Sequence, residues 1–227
     1  MRRLIRDISS VLIISGLLLV LDAVVTVAWQ EPITAVVAMV KRSQIDRRFL
    51  SYRSVPLSRV DLGALRTLAT LSQRTAYLAR RESRQVAPGD AIGRILIPRI
   101  GASFDMVQGT DDGTLQKGPG HYPSTAFPGL GRTVAIAGHR TTYLAPFRHI
   151  DALRPGDPIV LRMPYGRFIY VVQYRRIVLP TALWVTRDVG YERLVLSACN
   201  PLYSAAQRII IFARLAYAQP IPAAAPA

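Results

Sequence analysis

From Ala91 onward the chain is a succession of short β-rich runs separated by turns containing Gly and Pro. The runs are Ile92 to Ile97, Phe104 to Gln108, Thr133 to Ala137, Asp157 to Met163, Arg167 to Val178, Arg193 to Ser197 and Arg208 to Leu215. Pro155-Gly156-Asp157 and Pro164-Tyr165-Gly166 are strong turn signals, because Pro presets its φ and Gly tolerates positive φ. Seven strand candidates in about 125 residues, with few helical stretches between them, leave a closed antiparallel barrel or a sandwich. The fold is therefore expected to be mainly β. The tail from Ala218 is Ala and Pro apart from Gln219 and Ile221. Such a segment has too little apolar surface to bury and is predicted to be unstructured.

The opposite end has a different texture. Ile8 to Trp29 is apolar but for Asp22, Gly16 and a few small polar residues. A helix of that length spans about 33 Å, enough for a hydrocarbon core of about 30 Å. Asp22 costs up to roughly 3 kcal/mol at the bilayer centre, and each of the many Leu, Ile and Val residues returns about 0.3 to 0.6 kcal/mol. Insertion therefore wins. Arg2, Arg3 and Arg6 precede the span, which puts the N-terminus inside and the remainder outside. The stretch is long for a cleaved signal peptide, and no clean small-x-small site closes it, so an uncleaved anchor is expected.

Between these regions, Lys41 to Gln85 is basic, and Leu62, Leu65, Leu68, Leu71, Thr75 and Leu78 recur at helical spacing. The pattern predicts a basic helix, either lying on an anionic surface or docked on the β domain as a stalk. The whole chain carries a formal net charge of +15, nearly all of it from Arg. That charge suits lipid headgroups, anionic wall polymer or nucleic acid. The sequence lacks zinc-finger spacing, a Gly-rich phosphate loop and an RNA-binding signature, so no nucleic-acid partner is expected.

Cys199 is the single cysteine, so no internal disulfide can form. In an exported protein such a thiol is either buried and inert or reactive. The thiolate is the nucleophile, and a free thiol titrates at about 8.5, so a cysteine hydrolase or transferase needs a cationic neighbour such as His or Arg. Arg208 follows nine residues later on the next predicted strand. If the segment between them is a loop, both side chains come to one mouth of the barrel, where the guanidinium can serve an oxyanion. Three histidines compete for the remaining role. His139 ends the Val134 to Ala137 run, His121 sits in the turn G-P-G-H-Y-P, and His149 has the context of a surface or capping residue. His139 leads on position and His121 stays open.

Three ordered segments resemble a known family. They are G-P-G-H-Y-P-S-T (Gly118 to Thr125), A-G-H-R-T-T-Y-L-A-P-F (Ala137 to Phe147) and L-S-A-C-N-P-L-Y-S-A-A-Q-R (Leu196 to Arg208). Together they are similar to the sortases, and most to class E of high-GC Gram-positive bacteria. The resemblance implies a closed sortase-type β-barrel of about eight strands with short helices. It implies that Cys199 attacks the Thr–Gly bond of a C-terminal sorting signal on a secreted protein, of Leu-Ala-x-Thr-Gly or Leu-Pro-x-Thr-Gly type. His139 then exchanges protons with the leaving and incoming amines, and Arg208 holds the carbonyl. The acceptor is an amine such as a peptidoglycan precursor. A tyrosine matching Tyr122 is linked to the class E preference, and the loop of sortases that corresponds to Thr181–Gly190 helps wall the substrate groove, which makes Trp184 and Val185 candidate contacts. The family usually has Thr immediately before the cysteine, where this chain has Ala198, which is also expected to touch substrate. Asn200 stands where Thr or His is common. Neither cofactor nor metal is expected, since Asp105, Asp111 and Asp112 follow no EF-hand pattern and suit turns.

The partition that follows is a cytoplasmic N-terminus (1–7), a transmembrane anchor (8–29) and a basic, partly helical extracellular stalk (30–90). The catalytic domain (91–217) and a disordered tail (218–227) complete it. The expected location is the cell membrane, single-pass, with the catalytic domain outside. An L,D-transpeptidase would need a Ser-His-Gly-Cys-like segment, which S-A-C-N-P is not, and a papain-like enzyme has Cys before His. The remaining alternative is a weak or inactive wall-binding scaffold on the same barrel.

Overall fold

The computed structural model describes residues 2–28 and 57–220. Helix α1 (Arg2–Ala28) contains the stretch Arg6–Val24, long and apolar enough to cross a membrane. Trp29, residues 30–56 of the expected stalk and residues 221–227 of the tail lie outside the described residues.

Within the described part of the basic segment, residues 57–85, the chain forms α2 (Arg59–Thr67) and α3 (Leu71–Gln85) instead of one continuous periodic helix. Capping chemistry divides it. Ser58 accepts from the Asp61 N–H while the Asp61 carboxylate accepts from the Ser58 N–H, and Thr70 and Gln73 repeat this exchange before α3. The cap turns the chain, so Leu71 remains exposed whereas Ala79 enters the barrel core. Asp61 joins the two helices, accepting from Tyr77 Oη at 2.8 Å and pairing with Arg81 at 3.0 Å. Within the described residues, α3 packs on the barrel through Ala79 and Leu78.

Eight strands close a barrel in the order β1-β2-β3-β4-β7-β8-β6-β5. They are β1 (Ala91–Ile97), β2 (Ala102–Gln108), β3 (Gly120–His121), β4 (Val134–Ala137), β5 (Pro158–Met163), β6 (Gly166–Val178), β7 (Arg193–Asn200) and β8 (Gln207–Pro220). Seven correspond to the expected runs. The eighth, β3, has two residues and reads locally as a turn; pairing with β2 and β4 makes it a strand. The β2–β3 and β4–β7 pairs are parallel and the others antiparallel. The expected disorder from Ala218 is corrected for three residues. Ala218, Gln219 and Pro220 extend β8 because Phe168, Arg167 and Gly166 of β6 supply a ladder for them.

The barrel interior holds Ile95, Ile97, Leu161, Phe168 and Tyr170, all essentially inaccessible to solvent. A second cluster of Ala135, Val185, Val195, Ile210 and Phe212 lies apart from it. Strand alternation explains the division: Leu194, Leu196 and Ala198 of β7 point inward, and Val195 points to the outer face. Glu192 is buried and satisfied. Its carboxylate accepts from Tyr170 Oη at 2.7 Å, from Gly129 N at 2.9 Å and from Gly131 N at 2.9 Å, fixing the loop before β4.

Candidate active site

Cys199 and Arg208 are directly opposed in the antiparallel β7–β8 ladder. Facing positions share one side of a sheet, so thiol and guanidinium project together. Counting back along both strands puts them on the face of Val195, Ile210 and Phe212. The expected barrel mouth is thus corrected to the outer face of the sheet, at the end where β7 finishes. Both side chains are half-buried. Arg208 Nη1 donates to Ala205 O at 2.9 Å and to Gln207 O at 3.0 Å, which orients the guanidinium along the β7–β8 loop.

The parallel β4–β7 pairing delivers the imidazole. Ala137 is level with Ser197, and Gly138 N continues the ladder by donating to Ser197 O at 3.0 Å. One further residue along β4 puts His139 beside the Cys199 end of β7. Gly138 is required there: a Cβ would lie 2.5 Å from Cδ2 of Phe147, a side chain with no solvent exposure. Phe147 N donates back to His139 O at 2.9 Å, closing the intervening loop. Within it Tyr143, Leu144 and Ala145 adopt left-handed φ values of 50°, 64° and 41°. Each such residue costs roughly 1–2 kcal/mol, so the packing of this loop outweighs its local preference. The Tyr143 ring lies 5.1 Å from the His139 ring. His139 Nε2 is buried without a hydrogen-bond partner. Burial holds this imidazole below its ordinary range, opposed in part by the charge of Asp112.

The other histidines lie outside this arrangement. His121 is 2 % exposed, with Nδ1 2.9 Å from the Gln108 side-chain amide and Nε2 3.0 Å from Ala126 O. Burial pushes it down to about 4, and both ring nitrogens are engaged, so it is no proton carrier for the groove. His149 is exposed, just before the 3-10 turn Ile150–Ala152. The aspartates also serve the fold: Asp105 pairs with Arg94 at 2.6 Å, and Asp111 caps the short helix α4 (Asp112–Leu115) through Thr114 N.

The expected substrate residues divide between two faces. Tyr122 packs against the outer cluster, and Val185 belongs to it. Trp184 is 39 % exposed and stacks on Phe212 at 6.2 Å. The loop carrying both is tied down. Arg193 Nη2 donates to Val185 O and Arg187 O at 3.0 and 2.9 Å, and Thr133 Oγ1 donates to Arg187 O at 2.9 Å. Ala198 is corrected: its methyl group is 3 % exposed in the barrel core, because alternation turns it away from the groove. Arg140 was not singled out from sequence, although it adjoins His139. It is 4 % exposed and donates through Nη1 to Asn200 Oδ1 at 2.9 Å.

A thiol paired across a ladder with a guanidinium, and an imidazole just past the end of the neighbouring parallel strand, form a candidate cysteine-nucleophile site on the outer wall of a β-barrel. The sortase-domain family model matches residues 95–216, more than half of the chain, which thus belongs to the sortase family. Sortase D of Bacillus subtilis (strain 168) is 34 % identical over 130 residues, 56 % of this chain and 64 % of that protein. Sortase SrtE1 of Streptomyces coelicolor is 27 % identical over 157 residues, 62 % of this chain and 45 % of that protein. The chain thus spans less than two thirds of the length of either relative. Among solved structures, sortase E from Streptomyces avermitilis is 34 % identical with a TM-score of 0.55, covering 62 % of this chain and 97 % of that one. The crystal structure of sortase E1 from Streptomyces coelicolor, with a tripeptide in its active site, is 26 % identical with a TM-score of 0.58 and the same coverage.

Proposed function

We propose that this chain is a membrane-anchored cysteine transpeptidase of class E type that joins secreted proteins to an amine of a cell-wall precursor. The facing of Cys199 and Arg208 across β7 and β8, with His139 at the end of β4, carries the reading. The Cys199 thiolate attacks the carbonyl carbon of Thr in a Thr–Gly bond, and Arg208 donates to the resulting oxyanion. The C–N bond breaks, His139 protonates the departing Gly amine, and a thioester remains. An incoming amine gives its proton to His139 and attacks the thioester; a new amide forms and the thiolate returns. Burial favours the neutral His139 ring at rest, so the protonated acid is a minority species.

Helix α1 serves as the anchor in this reading, with the N-terminal arginines inside and the barrel outside. The sorting signal lies along the Tyr122–Val185 groove. The scaffold alternative draws on Ala198, but that residue faces the core and removes no group from the groove. The test uses the full chain in detergent with Leu-Ala-x-Thr-Gly and Leu-Pro-x-Thr-Gly peptides and a small amine. Mass spectrometry is expected to show a Cys199 thioester, cleavage at Thr–Gly and an amide product, all absent in Cys199→Ala. A wild-type chain that never forms the thioester with excess peptide would overturn the proposal.

A further inference from the structure

Each of the three reacting side chains has a chain neighbour in a single hydrogen-bonded run. Arg140 follows His139, Asn200 follows Cys199, and Gln207 precedes Arg208. Arg140 Nη2 pairs with Asp151 Oδ1 at 2.9 Å and its Nη1 donates to Asn200 Oδ1 at 2.9 Å. Asn200 Nδ2 in turn donates to Gln207 Oε1 at 3.1 Å. Arg140 Nε also donates to Arg148 O at 3.3 Å. We propose that this run, Asp151–Arg140–Asn200–Gln207, is a positioning device that sets the mutual placement of His139, Cys199 and Arg208. The inference rests on the transpeptidase reading of the site.

Three observations carry it. Asn200 and Gln207 are a facing pair, one step beyond the facing pair Cys199 and Arg208. Alternation therefore puts the run on the opposite side of the ladder from the thiol and guanidinium. It works from the side of the ladder opposite the thiol, so its members are positioning residues and not catalytic ones. Second, the backbone joins His139 to β7 only through the ladder that ends at Gly138 N. Beyond that point the Arg140–Asn200 bond is a direct side-chain tie between the imidazole-bearing loop and the strand bearing the thiol. Third, Arg140 is nearly inaccessible yet charged, which is tolerable only when its donors are satisfied. A planar guanidinium meets three acceptors on two segments, the 148–151 turn and the end of β7; an ammonium on a flexible stem does not reproduce that fork. Asn200 suits the run because its amide accepts from Arg140 and donates to Gln207 at once.

The test compares full-length Arg140→Lys, Asn200→Ala and Gln207→Ala chains in detergent with wild type and His139→Ala. Two readouts separate positioning from folding. The first is turnover of a sorting peptide. For Asn200→Ala, kcat is expected to fall by about tenfold to a hundredfold, with KM changed less than about threefold, since small misplacements of reacting groups act on that scale. The second is the pH dependence of Cys199 alkylation by iodoacetamide, which reads thiol–imidazole coupling without any peptide. In Arg140→Lys and Asn200→Ala its profile is expected to shift toward that of His139→Ala. The double variant Asn200→Ala/Gln207→Ala should be no slower than Asn200→Ala alone, because both break one connected run. Wild-type alkylation profiles in Asn200→Ala and Gln207→Ala would overturn the proposal, whatever their melting temperatures. So would additive losses in the double variant. If wild type forms no thioester, the transpeptidase reading fails, and the alkylation profiles still decide on the positioning run.

Discussion

Cys199 faces Arg208 across the β7–β8 ladder, so the distance between thiol and guanidinium is set by strand pairing and not by a flexible loop. Rigid elements place a donor where charge develops in the transition state, which is the arrangement that lowers a barrier. Arg208→Ala is expected to lower kcat/KM for a sorting peptide by roughly a hundredfold or more, as removal of an oxyanion donor does. Arg208→Lys should not restore it, because an ammonium on a flexible stem lacks the planar fork in which Nη1 holds Ala205 O and Gln207 O while other N–H groups face the oxyanion. Steady-state kinetics on the three proteins check this; unchanged turnover would assign the oxyanion to another donor.

Acid stability should report His121. Its imidazole titrates near 6.5 in the unfolded chain and at about 4 in the fold, because burial disfavours the charged ring. The unfolded state then binds more protons between these values, so stability is full above about 6.5 and falls as pH drops toward 4, by roughly 3 kcal/mol. His139 adds in the same direction. Asp61 does not contribute in this window. Hydrogen bonds from Ser58 and Tyr77 and the Arg81 charge hold its carboxyl at about 2, so its stabilisation is lost only below the ordinary carboxylate range. Chemical unfolding followed by circular dichroism from pH 7 to 4.5 is expected to show a shallower decline in His121→Gln than in wild type. An identical slope would assign the dependence to other groups.

Glu192→Ala should be among the most destabilising single changes. It strands the buried Tyr170 hydroxyl, at about 1–3 kcal/mol, and releases the half-buried Gly129 amide and the exposed Gly131 amide, which water partly compensates. A loss of about 2–3 kcal/mol is expected, against a smaller one for Glu192→Gln, which keeps an acceptor. Thermal melts of both variants decide the matter, and a melting temperature within error of wild type would contradict the clamp.

Adjacent residues of the β6–β7 loop should behave differently. Trp184 is partly exposed over Phe212, whereas Val185 is buried in the outer cluster. Trp184→Ala is expected to raise KM for the sorting peptide severalfold with kcat nearly unchanged. Val185→Ala should cost about 1–2 kcal/mol of stability through lost burial. Equal effects of the two on KM would mean that the loop acts as one wall.

Much of this molecule could be read without coordinates because local chemistry marks it. Turn residues delimit seven of the eight strands, and Cys199, His139 and Arg208 were candidates by chemical type and strand-end position. What escaped depended on partners remote in the chain. Gly120–His121 reads as a turn and becomes β3 only between β2 and β4. Ala218–Pro220 reads as tail and becomes strand only beside β6. The Leu62 to Leu78 periodicity reads as one helix, although the Thr70 and Gln73 capping exchange that divides it was visible as a local signature. Ala198 and Cys199 are neighbours, yet one faces the core and the other the groove.

The sequence by itself determined the kind of fold and the chemistry available, because strand period, turn residues and nucleophile type are properties of short segments. Tertiary structure alone decided which histidine sits near the thiol and which is locked in the fold, which face of β7 is the groove, and that Arg140 meets Asn200. Those outcomes follow from strand register and burial, which arise only when residues some 60 positions apart are brought together.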